Sequence, residues 1–450
     1  MINGMNTREI ILAVLLQVEE DEVPCHIAIR NALSKYQFLP KQDRAFITRI
    51  CEGTLEYRIQ IDYIIDYFSK VKVEKMKAPI REILRSAVYQ LKYMDSVPES
   101  AVCNEAVKLA QKKGFYNLKP FVNGVLRTIV RRQQEVVFPS REEDEETYFS
   151  VRYSMPIWLV KRWIEAYGSQ MTEKMLESFL EEKPTTIRCR LYRTSMEETL
   201  QSLRDQGVTV EKAPYLDYAY YISGYNHILT LDAFREGKIQ VQDVSSMLVA
   251  EAASPRRSSY VIDLCAAPGG KSLHIADKME GYGTVDARDL TEAKVELIRE
   301  NIQRAEVINV HAKCQDATLF DLDSEDTADI VLADVPCSGY GVIGRKPDIK
   351  YRMTLSRQEE IVILQRTILD KAVKYVRKGG TLIFSTCTIA REENEDNVQW
   401  LLENYPLELE SLDPYLPEEL HCETTAQGWL QLLPGVHKCD GFFLARFRRK

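Results

Sequence analysis

Five short segments of the 450-residue sequence carry residue types that can hold a ligand and make bonds. The first is Asp263-Leu264-Cys265-Ala266-Ala267-Pro268-Gly269-Gly270-Lys271, which leaves a β-rich run and enters a helical one. Paired glycines and a proline in such a turn let a ligand approach the backbone at the positive end of a helix. The pattern is not G-x-G-x-x-G, so a dinucleotide fingerprint is absent. Asp286, 16 residues after Gly270, is read as the end of the second β-rich run. A carboxylate there is the expected partner of two ribose hydroxyls. Asp316, after the third run, is suited to accept from an adenine amino group. Taken singly, each is ordinary turn chemistry. On consecutive strand ends they describe a pocket for an adenosyl ligand.

The fourth run ends in Ala333-Asp334-Val335-Pro336-Cys337-Ser338-Gly339-Tyr340-Gly341 and the fifth in Phe384-Ser385-Thr386-Cys387-Thr388. A lone cysteine is more often a small buried hydrophobe than a nucleophile. Two of them on neighbouring strand ends, beside a carboxylate and the adenosyl pocket, favour chemistry. Cytosine C5 is a poor nucleophile, and its methylation calls for prior thiolate addition at C6, which makes C5 enamine-like. A base must then remove the C5 proton so that the thiol can leave. Two cysteines and a carboxylate at the ring nitrogen supply all three tasks.

The elements around these segments change along the chain. From residue 7 to about 133, apolar residues recur at helical spacing, as in Ile10, Val14, Leu15 and Val18, and again in Ile83, Leu84, Val88 and Leu91. Pro24, Pro40, Pro79 and Pro98 punctuate the pattern, so a helical bundle over residues 1–140 is expected. The acidic run Arg141-Glu142-Glu143-Asp144-Glu145-Glu146 marks a boundary. A small α+β module follows over 148–240, with one helix expected over 157–180 and a capped helix from Ser195. From 241 to 450, β-rich and helical runs alternate, which predicts a doubly wound parallel sheet, an α/β fold with ligands at the carboxyl ends of its strands.

Composition bounds the rest. At roughly 150 residues per domain the length fits about three domains, and 45% hydrophobic with 28% charged residues is ordinary for a globular chain. No apolar run approaches a membrane span of about 18 residues and no signal peptide opens the chain. The ten cysteines form no CxxC, so they are read as reduced thiols of a cytoplasmic protein. Net charge is −8, unevenly divided. Residues 1–140 hold 21 Lys and Arg against 16 Asp and Glu, and the remainder 38 against 51. Lys108, Lys112, Lys113, Lys119, Arg127, Arg131 and Arg132 stand against Glu105 alone in 101–133. That cluster fits phosphate neutralisation and equally a solvated helical face. His437-x-Cys439 and His421-Cys422 lack a second pair at zinc-finger spacing, so no metal is expected. GxSxG and the P-loop pattern are absent.

The segments Val261–Lys271, Asp334–Arg352 and Gly379–Glu395, with Gln242-Asp243 and Asp440-Gly441-Phe442-Phe443, resemble the motifs of the Sun-type RNA cytosine-C5 methyltransferases. Thr7 to Arg132 is similar to the NusB-like RNA-binding fold. The resemblance covers all three regions and implies a Rossmann-like methyltransferase core using S-adenosyl-L-methionine, preceded by an all-α NusB-like bundle and an α+β module. It implies a monomer acting on 16S rRNA, with 5-methylcytosine formed at cytosine 967. It assigns Cys387 as the nucleophile at C6, Cys337 as the base or release group, and Asp334 as the contact to cytosine N3 and to the cofactor. Cys265, Ala266, Ala267, Pro268, Gly269, Gly270, Lys271, Asp286 and Asp316 would hold the cofactor. In related DNA enzymes the Pro-Cys thiol attacks, so exchanged thiol roles are the mechanistic alternative. A tRNA or another rRNA cytosine, or an RNA-binding assembly factor without catalysis, are the functional ones. Val335, Gly344, Tyr351 and Arg391 depart from the usual residues of that family.

Overall fold

The computed structural model describes residues 6–36, 39–192 and 194–450. The chain forms two compact units: Met1–Glu181 with Ile343–Arg352, and Glu182–Val342 with Met353–Lys450.

The first unit is helical. Pro24, Pro40 and Pro98 stand immediately before helices Cys25–Lys35, Lys41–Glu56 and Glu99–Lys112, and Pro79 lies in the first turn of Ala78–Tyr93. Proline is tolerated there because its missing N–H would be unsatisfied in any case. The periodic residues Ile10, Val14, Leu15, Ile83, Leu84 and Val88 form one core with Ile47, Leu55 and Leu126. Burying each such side chain contributes about 1.5–3 kcal/mol. The expected single helix over 157–180 is two, Ile157–Tyr167 and Ser169–Leu180, because Gly168 adopts φ +77° between them. That left-handed value ends an α-helix, and glycine adopts it without steric cost.

Ile343–Arg352, far along the chain, belongs to this unit. Lys350 donates to the Glu56 carbonyl at 2.8 Å and the Tyr351 hydroxyl to the Leu55 carbonyl at 2.8 Å. The Arg58 guanidinium lies 4.9 Å above the Tyr351 ring.

Among its described residues the second unit holds twelve strands in two sheets. Strands β1 (Thr185–Cys189), β2 (Thr209–Lys212), β3 (Ala219–Ser223) and β4 (Ile239–Val241) form an antiparallel sheet in the order β2-β3-β1-β4. Ser195 caps helix Met196–Asp205 by accepting from the Glu198 N–H, as the S-x-x-E pattern predicts.

The larger sheet contains β5 (Tyr260–Asp263), β6 (Thr284–Asp289), β7 (Val310–Cys314), β8 (Ala328–Asp334) and β9 (Val376–Thr386). These five are parallel in the order β9-β8-β5-β6-β7. Three further strands, β10 (Leu407–Leu409), β11 (Trp429–Leu432) and β12 (Phe442–Arg449), complete it, with β12 antiparallel to β9. Alternate residues face opposite layers. Val261, Val285 and Leu332 pack with Leu248, Leu273 and Ile298 on one side. Ile262, Val331 and Phe384 pack with Leu369 and Leu401 on the other. Burial on both faces explains why these strands are near-continuous apolar runs. The strand order reverses between β5 and β8, and the crevice at such a switch point is where open α/β sheets take ligands.

Candidate active site

The segments singled out by chemistry converge at the carboxyl ends of β5, β6, β8 and β9. After β5, Cys265 to Gly269 form the turn into helix Gly270–Lys278, with Gly269 at φ +103° in the N-cap position. A side chain at Gly269 would be strained by that angle and would press on Ile298 at 3.4 Å. The turn is tied down by the N–H of Gly269 to the Ala266 carbonyl at 2.6 Å and of Ala266 to the Arg288 carbonyl at 2.8 Å. Burial pushes the Cys265 thiol well up, so it is a packing thiol in this turn.

At the end of β6 the structure differs from the expectation. The strand continues three residues beyond Asp286 and ends at Asp289. Asp286 lies inside the strand, where Arg288 Nε donates to it at 2.8 Å. Arg288 is almost fully buried and also reaches Asp321 at 3.3 Å and Ser324 at 2.7 Å. A charged pair inside a strand disguised the strand's true end. Asp289 instead faces the glycine turn, accepting from the Ala267 N–H at 2.9 Å. Its other oxygen accepts from the Leu290 N–H at 2.8 Å, with Lys294 at 3.0 Å. Asp316 lies beyond β7 in a turn of its own, accepting from the Thr318 hydroxyl at 2.7 Å and N–H at 2.9 Å. Those two bonds hold its carboxyl below the usual range.

Asp334, the last residue of β8, is fixed on both oxygens. Lys271 donates to one at 2.6 Å and the Ser385 hydroxyl to the other at 2.7 Å. Burial alone would lower the Lys271 ammonium, but Asp334, with Asp263 and Cys387, outweighs it and the net shift is upward. Behind Lys271, Asp263 is fully buried and accepts from Ser272 at 2.6 Å. Burial raises its carboxyl to about 7.

Cys337 and Cys387 meet, with their sulfur atoms 3.2 Å apart and no disulfide between them. The hydrogen bond to Cys387 is the largest cause holding the Cys337 thiol well above its ordinary value, followed by burial and the negative charges of Glu393 and Asp334. A third loop closes on this pair. The Gly341 N–H donates to the Cys387 carbonyl at 3.0 Å, and the Gly441 N–H to the Gly341 carbonyl at 2.9 Å. A Cβ on Gly341 would fall 2.0 Å from the Gly441 oxygen, so neither position admits a side chain without moving backbone. This close approach gives the Asp440-Gly441 pair a structural reason. Asp243 caps helix Val244–Ala253 and also accepts from the Asp440 N–H at 3.2 Å.

Other marked residues lie elsewhere. His274 is buried edge-on to Tyr218 with ring centroids 5.4 Å apart, and burial lowers its imidazole well below the ordinary value. His437 accepts from the Leu433 N–H at 2.9 Å. Among the described residues no three His, Cys, Asp or Glu side chains are grouped to hold a metal, and no helix is long and apolar enough to cross a membrane. Sequence reasoning did not single out Asp289, Glu393 or Asn394 by themselves.

Comparison with known proteins agrees with this architecture. The NusB family pattern matches residues 5–131, the ferredoxin-like domain of RsmF/B-like methyltransferases matches 155–228, and the 16S rRNA methyltransferase RsmB/F pattern matches 250–448. A probable ribosomal RNA small subunit methyltransferase B of Bacillus subtilis is 36% identical over 451 residues, covering 99% of both chains. The ribosomal RNA small subunit methyltransferase B of Shewanella oneidensis is 30% identical, covering 98% of this chain and 99% of that one. The crystal structure of PH0851 superposes with a TM-score of 0.83 at 26% identity, covering 99% of this chain and 100% of that one. A methyltransferase homologue from Pyrococcus horikoshii gives 0.59 at 26% identity over 68% of this chain and 99% of its own. With relatives of this identity over its full length, the chain belongs to the RsmB family of ribosomal RNA small subunit methyltransferases.

Proposed function

We propose that this methyltransferase forms 5-methylcytosine in 16S rRNA through a covalent bond between Cys387 and cytosine C6, with cytosine 967 as the target. The observation that carries the reading is the pair of thiols 3.2 Å apart, next to an aspartate held by Lys271 and Ser385. The cofactor fits the site. The turn of Cys265, Ala266, Ala267, Pro268 and Gly269 leads into a helix that starts at Gly270 without a side-chain cap, so its first N–H groups are open to a ligand. Asp289 stands at the strand end where a ribose carboxylate belongs, and Asp316 one strand further on. S-adenosyl-L-methionine, when bound there, supplies an electrophilic methyl group.

The chain's own residues do the rest. Asp334 meets the N3 edge of the base and hands N3 a proton as negative charge develops on the ring, with the Lys271 ammonium balancing the carboxylate left behind, and takes the proton back when the thiol is expelled. The Cys387 thiolate adds to C6, and the C5–C6 π electrons become available at C5 for methylation. Cys337 or a group it positions takes the C5 proton, the C5=C6 bond re-forms and Cys387 leaves as thiolate. Electrostatics support this division. The hydrogen bond to Cys387 and burial, with the charges of Glu393 and Asp334, hold the Cys337 thiol protonated, as suits a group that does not attack.

The test incubates the protein with unmodified 16S rRNA and S-adenosyl-L-methionine and maps 5-methylcytosine by bisulfite sequencing. One new methylcytosine at position 967 is expected. A different cytosine, or methylation of tRNA alone, would move the target. In parallel, Cys337→Ala should accumulate a protein–RNA adduct on a denaturing gel and Cys387→Ala should form none. The reverse pattern would exchange the thiol roles.

A further inference from the structure

The two thiols come from loops that are 50 residues apart in the chain, and each loop is gripped on both sides of its cysteine. On the Cys337 side, the Ser338 N–H donates to Glu393 Oε2 at 2.9 Å. Gln365 Nε2 donates both to that same oxygen at 3.0 Å and to the Pro336 carbonyl at 2.9 Å. On the Cys387 side, the Thr386 hydroxyl donates to Asn394 Oδ1 at 2.6 Å. Asn394 Nδ2 donates to the Thr388 carbonyl at 3.2 Å and to Gln431 Oε1 at 2.7 Å. A hydroxyl bridge of 2.6 Å between Ser338 and Thr388 joins the two loops.

The grips converge on neighbouring residues, Glu393 and Asn394, both at 0% exposure. They stand at the entry to helix Glu395–Asn404, and Asn397 on that helix binds back to the Glu393 carbonyl at 3.0 Å. A fully buried carboxylate costs stability unless a purpose is served by its hydrogen bonds, and an apolar residue would pack there more cheaply. What these two side chains achieve is the placement of backbone on either side of each thiol.

We infer that Glu393 and Asn394 are positioning residues with separate duties: Glu393 sets the loop of Cys337, and Asn394 sets the loop of Cys387. This inference rests on the covalent mechanism proposed above. If the thiols act at different steps, the two substitutions fail at different steps. Glu393→Ala slows release, so the Cys387–RNA adduct accumulates as in Cys337→Ala. Asn394→Ala slows attack, so adduct is lost, including when it is added to Cys337→Ala. A displacement of about 1 Å at a reacting group costs roughly 100-fold in rate. Glu393→Gln keeps an acceptor for the Ser338 N–H and recovers most of the turnover.

The experiment uses the full chain with unmodified 16S rRNA and S-adenosyl-L-methionine and scores adduct formation, turnover and thermal unfolding for each variant. A second readout involves no RNA. Diamide takes two electrons and two protons from the thiol pair, and the rate of the Cys337–Cys387 cross-link is followed by mass spectrometry. Both alanine variants should slow cross-linking by about tenfold or more at a temperature where each is still fully folded. Equal loss of adduct in both variants, or wild-type cross-linking rates in both, would overturn the assignment. Absence of adduct in both Cys337→Ala and Cys387→Ala would refute the covalent reading instead, and the cross-linking rates would then decide the positioning role alone.

Discussion

Two aspartates three residues apart in β6 meet different partners. Asp286 is consumed by Arg288 within the strand, and Asp289 meets the glycine turn. The two differ in their neighbours, since the charge is the same and only the strand position has changed. Asp289→Asn should weaken S-adenosyl-L-methionine binding by about tenfold or more, because one bidentate acceptor for ribose becomes a partial donor. Asp286→Asn should lower the unfolding temperature by releasing buried Arg288, with a smaller effect on cofactor affinity. Isothermal titration and thermal unfolding of the two variants check this, and a larger affinity loss for Asp286→Asn would restore it as the ribose partner.

At the scale of elements, the segment Ile343–Arg352 deserves its own energetics. It follows the Cys337 loop directly in the chain yet is a part of the helical unit. Lys350 is 2% exposed, and burial lowers its ammonium to about 7, with the Glu56 charge opposing the shift only in part. A base whose folded value lies below its ordinary 10.5 contributes its full stability above that value and loses it as pH falls towards 7. Lys350→Met removes the buried charge. It should stabilise the helical unit at pH 6 by about 5 kcal/mol at most, seen as a higher unfolding temperature, and have little effect near pH 10. Differential scanning calorimetry across that range is the measurement. An effect independent of pH would show that Lys350 stays charged in place.

For the molecule as a whole, the charge division read from composition becomes more specific in three dimensions. Of the seven basic residues in 101–133, Lys108, Lys112 and Arg132 are ion-paired to Glu105, Glu9 and Glu135. Lys113, Arg127 and Arg131 are exposed, and among the described residues no ion pair is formed by them. These three are the exposed charges available to phosphates, and Lys119, also outside any ion pair among the described residues, is half-buried. Replacing all three by Gln should weaken binding of 16S rRNA and reduce the slope of log affinity against log salt by about 2, since each phosphate contact contributes roughly 0.7–0.9. Filter binding over a salt series tests it, and an unchanged slope would place the RNA contacts on other residues.

Local patterns by themselves determined much of this protein. Apolar spacing and prolines located the helices of the first unit, β-rich runs alternating with helices specified the parallel sheet, and strand-end residues marked Asp334, Cys337 and Cys387 before any of them could be seen to meet. Such features depend on neighbours a few residues away, which any stretch of sequence displays. Tertiary structure alone decided the rest. The end of β6 depended on Arg288 finding Asp321 and Ser324 across 33 and 36 residues. The allegiance of Ile343–Arg352 depended on carbonyls almost 300 residues earlier, at Leu55 and Glu56. The grip of Glu393 and Asn394 on two thiol loops depended on helix packing that brings Gln365 and Asn397 to the same point, 2.8 Å apart. A buried charge is stable only beside its partner, and a partner so distant in sequence becomes visible only once the chain has folded.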